Sequence, residues 1–199
     1  QRMFRLISIV SFLLLSFWSW SSHVMGGELT YKHLGNSTYQ FELVFYRDCN
    51  GADVNAVSEN LRVWNHPTLT NIPVLFVQRI DLSPSCTQIS GGPGPLLCGT
   101  GNNGGNGIGA IEKVIYRSAP VLLTGTPPAQ GWAFTYENFS RSTSISNLTN
   151  PSTYGITLAA KIFNLAQPDD APVFNQDPLF VSCAGQAYEY NAAVNDANH

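Results

Sequence analysis

The chain has 199 residues, of which 12% are charged and 12% aromatic, and a formal net charge of −3. That length can bury a sizeable core in one large domain or two small ones, and that composition excludes an ordinary disordered tail. Ten basic residues, only three of them lysines, stand against thirteen acidic ones. Such a chain lacks the electrostatic footprint of a nucleic-acid binder, and that partner class is set aside.

At the N-terminus, Arg2 and Arg5 precede the apolar run Leu6 to Trp18. The run has the length of a signal-peptide core and falls short of the roughly 20 apolar residues a membrane span needs. Ser19 and Ser21 supply small residues at the spacing of a cleavage site, so residues 1–22 are expected to be a Sec signal peptide, the alternative being an uncleaved anchor. The expected destination is the outer-membrane exterior, secreted or on the cell surface, with no transmembrane span after cleavage. Removal of Arg2 and Arg5 leaves eight basic residues against thirteen acidic ones, a balance of −5. The chain opens on Gln1, which suggests a fragment with Met3 as a candidate start.

Residues 28–34 alternate Leu29, Tyr31 and His33 with polar neighbours, and Gly35-Asn36 is a hairpin signal. The next stretch, Tyr39 to Gly51, puts Tyr39, Phe41, Leu43 and Phe45 on one face and Gln40 and Glu42 on the other. Period-2 alternation is that of a half-buried strand, and Cys49 continues the inward parity. The two strands are expected to pair antiparallel. Further strands are predicted at 61–64, at 72–80 (apolar on both faces), at 110–116, 121–123, 132–136 and 154–163, and from Cys183 to Tyr190. Between them, residues 83–109 change character to a Gly/Asn-rich surface insertion, and residues 169–178 form an acidic, proline-punctuated connection.

No stretch keeps a helical period, and about nine short strands predict an all-β fold: a disulfide-supported β-sandwich, immunoglobulin-like or of two packed sub-sheets. Residues 23–182 form that module. Residues 183–199 are its last strand or the truncated start of a following β-domain.

Four cysteines, Cys49, Cys86, Cys98 and Cys183, follow the leader, and an oxidising compartment favours bridges. Three connectivities exist. The favoured one joins Cys86 to Cys98 across a short loop and Cys49 to Cys183, tying the organising strand to the last. A zinc site is disfavoured because there is no Cys-x-x-Cys and the histidines are scattered. Gly99-Thr-Gly-Asn-Asn-Gly104 matches G-x-G-x-x-G literally, but it lacks the strand before and the helix after that dinucleotide binding requires. Asp169, Asp170 and Asp177, with Asp196 and Asn198, are the clustered oxygen ligands. Calcium at Asp196 and Asn198 is one reading, and a solvated acidic connection is the favoured one.

Serines abound, yet there is no G-x-S-x-G and no recognisable histidine partner. Glu28, Glu42, Glu112 and Glu137 sit at ordinary strand positions and do not single out a glycosidase pair. His23, His33 and His66 read as capping, packing or solvent-facing groups. Asn36, Asn138 and Asn147 begin glycosylation sequons, meaningful only in a eukaryotic host.

Three strings, His23 to Tyr31, Tyr39 to Gly51 and Cys183 to Asn191, resemble the N-terminal module of large Bacteroidota cell-surface proteins. The resemblance covers most of residues 23–199, with 99–107 as an idiosyncratic insertion. It implies a secreted leader, then this module, then immunoglobulin-, PKD- or cadherin-like domains, and often a gliding-motility-associated sorting domain for type IX secretion. The family continues after Cys-Ala-Gly into an acidic Asp-x-Asp/Asn-x-Asp loop, of which Asn195 to His199 matches only the beginning. The expected function is therefore a non-enzymatic module in adhesion or surface structure, with cell-surface or extracellular ligands that include glycans. The alternatives are a carbohydrate-binding module, in which Trp64, Trp132 or Tyr136 stacks on sugar rings, and a secreted hydrolase.

Overall fold

The computed structural model describes residues 24–85, 94–101, 104–139, 141, 145–178, 181–185, 187, 189–191 and 194–196. The fold is all-β. Its strands are β1 (Val24–Gly35), β2 (Thr38–Asp48), β3 (Ser58–Trp64), β4 (Asn71–Asp81), β5 (Ile111–Ser118), β6 (Val121–Leu122), β7 (Trp132–Asn138) and β8 (Ile156–Ile162). Two short strands follow, β9 (Val173–Phe174) and β10 (Val194–Asn195), and a single 3-10 turn spans Pro151–Thr153.

The expected pair of packed sheets is one sheet. Strands run in the order β1-β2-β5-β4-β3-β7-β8, each pair antiparallel, with β6 added to β2. This sheet curls until its two ends nearly meet. At the seam no ladder forms, but the Tyr31 hydroxyl on β1 donates to the Lys161 carbonyl on β8 at 3.1 Å. Gly27 lies there too: a Cβ on it would come within 2.8 Å of Leu158 Cδ1. In this near-closed barrel the firmer bar to a side chain at Gly27 is β2, whose Val44 carbonyl oxygen would lie 2.6 Å from that Cβ.

The β1–β2 hairpin forms as its sequence dictates. Gly35, Asn36 and Ser37 all take positive φ in the turn, and the register places Leu29, Tyr31 and His33 opposite Leu43, Phe41 and Tyr39. The inward face of β2 meets Leu61, Val74, Val114, Tyr116, Trp132 and Phe134 in one continuous core. Phe41 packs on Phe134 with ring centroids 4.4 Å apart, and Phe45 on Tyr136 at 4.8 Å. The barrel is filled with side chains, as a small barrel must be to exclude water.

Strand β4 departs from its prediction. Ile72 and Val74 are buried, but Leu75 is 57% and Val77 43% exposed, so only one face is core. A bulge between Phe76 and Gln78 shifts the register against β5. One extra residue inverts the parity beyond it, and so brings Arg79 and Asp81 into register with Val114 and Glu112 of the inward face.

The outward face of β2 is also covered, where its sequence suggested solvent. Val44 and Tyr46 form a second small buried cluster with Ile115, and Leu82 packs against it. The connection after β8 is the reason. It is a strap laid over the barrel: Ala171 N–H donates to the Tyr31 carbonyl, His33 N–H donates to Asp170 Oδ1, and Asp177 reaches Lys113 on β5. β10 then returns antiparallel onto β9. Among the described residues, the expected strand from Cys183 to Tyr190 has no ladder.

Candidate functional site

Two polar assemblies lie on this barrel, one closing an end and one beneath the strap. The first follows directly from register. Arg47 and Glu112 are paired across β2 and β5 at an inward position, so both charges point into the barrel's end. Arg47 is fully buried. Its Nε lies 2.7 Å from Glu112 Oε1, and its Nη1 donates to the Gly51 and Ala52 carbonyls at 3.2 and 2.7 Å. The β4 bulge delivers Arg79, whose Nη1 bridges Glu112 at 3.1 Å and Asp53 at 2.6 Å. Two guanidinium groups and two carboxylates give a neutral network, the condition under which buried charge is tolerated.

The disulfide sits beside this network, and its pairing corrects the expectation. Cys49 is bonded to Cys98, with Cα atoms 5.5 Å apart, within the ordinary range. Cys183 is also disulfide-bonded. Cys86 lies outside the described residues. Parity placed Cys49 correctly, since it is buried, but its partner comes from the Gly/Asn loop. Gly105 N–H donates to the Cys49 carbonyl, Cys49 N–H to the Ala110 carbonyl, and Asn50 Nδ2 to the Gly107 carbonyl. That loop is therefore bound to the barrel and is not a free insertion. Its glycines permit close backbone approach: a Cβ on Gly99 would lie 2.6 Å from the Gly104 carbonyl oxygen. From residue 104 the chain leads into β5, so the G-x-G-x-x-G string opens no helix.

Among the described residues, Cys49, Cys98 and Glu112 are the set whose potential ligand atoms lie within 4.8 Å of one another. Both sulfurs are spent in the disulfide and Glu112 is held by two arginines, so the oxidised protein offers no thiolate there. Asp196 falls outside that set, and Asn198 lies outside the described residues. Nothing in this geometry points to calcium.

The second assembly is the outer face under the strap. A groove of about 440 Å³ runs between the outward residues Lys32, Gln40, Glu42 and Arg117 and the strap at Asp170 and Val173. Glu42 and Arg117 are paired at 2.5 Å across β2 and β5. Further along, the Tyr46 hydroxyl contacts Glu28 Oε1 at 2.8 Å and Asp177 Oδ1 at 3.1 Å, and Lys113 Nζ lies 2.6 Å from the same Asp177 oxygen. Burial is the main cause holding the Tyr46 phenol far above its ordinary pKa, with its hydrogen bond to Glu28 adding to it. At the seam, burial and then Asp169 raise Tyr31 to about 12. The sequence offered no sign of either arrangement, because the strap's partners are more than 60 residues away.

The aromatics proposed for sugar stacking are mostly unavailable. Trp132 and Tyr136 are core residues, and of the three only Trp64 is exposed, at 39%. One face of its ring carries the Arg62 guanidinium 4.0 Å from the centroid, and its Nε1 donates to Thr135 Oγ1. His66 packs against Trp132 with the two rings tilted by 49°, and its Nδ1 accepts the Leu69 and Thr68 N–H groups, a capping role. His33 packs against Tyr39 with ring centroids 5.0 Å apart, and His23 lies outside the described residues.

Among the described residues, no helix is long and apolar enough to cross a membrane. Comparison with family models, with curated proteins and with solved structures finds no match.

Proposed function

We propose that the chain is a non-enzymatic extracellular module of a bacterial cell-surface protein, serving in adhesion or surface structure. The observation that carries this reading is the Cys49–Cys98 disulfide built into the end of the barrel. Such a bond persists in an oxidising compartment and not in a reducing cytosol. The apolar run before residue 23 and the resemblance to Bacteroidota surface modules favour the same compartment.

Two further features support a binding or structural role. The barrel interior is packed with aromatic and aliphatic side chains, so a ligand must meet the outer face or the strap. Three carboxylates of the described residues are held in ion pairs, Glu112 with Arg47 and Arg79, Glu42 with Arg117, and Asp177 with Lys113. External protease treatment of intact cells tests the proposal. Loss of the chain from unpermeabilised cells is the expected result. Full protection, together with free thiols, overturns it.

A further inference from the structure

Where the strap leaves β8, a cavity of about 420 Å³ opens between the end of that strand and the barrel seam, a size within the range of small-ligand sites. Lys161, Phe163, Asn164, Gln167 and Asp169 line it from β8 and the strap, and Tyr39 lines it from β2. Two observations distinguish it from a chance groove. The first is Phe163, which is 58% exposed and yet supported. Its ring edge lies against the backbone at Gly131, where a Cβ would come within 3.0 Å of Phe163 Cδ1. Gly131 takes a positive φ, and its N–H donates to the Pro128 carbonyl at 2.8 Å, so the turn beneath the ring is itself held. An aromatic ring open to solvent but braced along one edge is a stacking platform with less freedom to lose on binding.

The second observation is Tyr39. Its side chain is fully buried, and its hydroxyl has no hydrogen-bond partner among the described residues. Buried hydroxyls are nearly always paired, so one left unmet beside a cavity marks a place for an oxygen from water or a ligand. Burial, and after it Asp169, raises the phenols of both Tyr31 and Tyr39, which sets the Asp169 carboxylate near the two rings.

The lining chemistry selects the ligand class. Asn164 Oδ1 accepts the Ala166 N–H at 2.9 Å, which fixes that amide and leaves its Nδ2 to donate. Gln167 can donate and accept, Asp169 can accept, and Lys161 can donate. Lys161 is the single cation of the lining and Asp169 its single anion, so a phosphate or polyanion gains no net attraction. A hydroxyl-rich ring with an apolar C–H face suits these groups instead. Its face lies on the aromatic plane, and its hydroxyls exchange hydrogen bonds with amides and a carboxylate. We propose that this cavity holds one pyranose ring of a glycan, stacked on Phe163 and hydrogen-bonded by Asn164, Gln167 and Asp169. The choice of a glycan over a free sugar rests on the cell-surface reading given above; the cavity and its lining do not.

Binding of the purified, unreduced chain to an array of neutral and uronic-acid oligosaccharides tests this. The expected result is binding to a set of glycans that share one pyranose unit. Phe163→Leu keeps apolar bulk but loses the ring, and should weaken that binding about tenfold or more. Phe163→Tyr keeps the ring and should stay within about threefold of the parent. Trp64→Ala, away from the cavity, should bind as the parent does. Near-ultraviolet circular dichroism checks that each variant folds. Absence of binding across the array overturns the proposal, and so does binding that survives Phe163→Leu or is lost in Trp64→Ala. The array reads the purified protein, so protection from protease on intact cells would overturn the cell-surface role without altering this outcome.

Discussion

Removing the Glu112 carboxylate is the sharpest perturbation the barrel offers. Arg47 has no exposed surface, and Glu112 is its closest charged partner at 2.7 Å. After Glu112→Ala its guanidinium keeps the Gly51 and Ala52 carbonyls and Asp53 at 3.8 Å, none of which replaces a buried, directly bonded carboxylate. Arg79 loses one of two carboxylate partners but retains Asp53 and is partly solvated, so its share of the loss is small. Breaking a buried pair from one side costs about 3–5 kcal/mol, most of it the uncompensated charge left behind. Replacing both partners, as in Arg47→Met with Glu112→Leu, removes both charges together and should come within about 1–2 kcal/mol of the parent. Urea unfolding of the unreduced protein, followed by tryptophan fluorescence, reads both values from the shift in midpoint at constant slope. A Glu112→Ala loss below about 1 kcal/mol would refute the reasoning, since that is the value of a solvated surface pair. So would a double variant less stable than the single one.

The remaining predictions concern the staple, the core and the tyrosines. Cys49→Ala with Cys98→Ala opens a loop with a sequence separation of 49, and the chain-entropy model sets its cost at roughly 4 kcal/mol; an unchanged urea midpoint would show that the bond adds nothing. Trp132→Ala, in the core, should cost about 3–5 kcal/mol, while Trp64→Ala on the outer face should cost about 1 kcal/mol or less. Equal losses would contradict their placement. Tyr31 and Tyr136 are both raised to about 12, chiefly by burial. The fold favours their neutral form, so that stability is fully present below the unfolded pKa near 10 and is lost as pH rises through about 12. Absorbance titration should show tyrosines ionising together with unfolding in that window, and a gradual titration near pH 10 with the fold intact would count against it.

How much of this was legible in the sequence varies with the range over which each feature is decided. The alternation of Tyr39, Phe41, Leu43 and Phe45 is local, and the strand, its inward face and its hairpin to β1 followed from it. Burial of Cys49 followed from the same parity. Its partner did not, because parity states which way a sulfur points and not which loop returns to meet it. The Gly/Asn stretch looked like surface coil for want of apolar side chains, yet it docks through backbone hydrogen bonds that leave no hydrophobic signature. The β4 bulge was equally silent: no residue type at 76–78 announces it, and it alone brings Arg79 to Glu112. The sandwich expectation failed on closure, since strand count and turn spacing are the same whether one sheet curls or two sheets stack. Residues 169–178 were read as a solvated acidic connection because their contacts on β1 and β5 are formed only once the barrel exists.

The near-closed barrel is stapled at one end by Cys49–Cys98, and we propose that this staple is made in an oxidising compartment. Its most direct test is a non-reducing peptide map of the protein taken from cells with thiols blocked at lysis. The expected result is a peptide linking Cys49 to Cys98 and no blocked thiol at either position. Cys49 linked to Cys183, or both cysteines recovered as blocked free thiols, would contradict it.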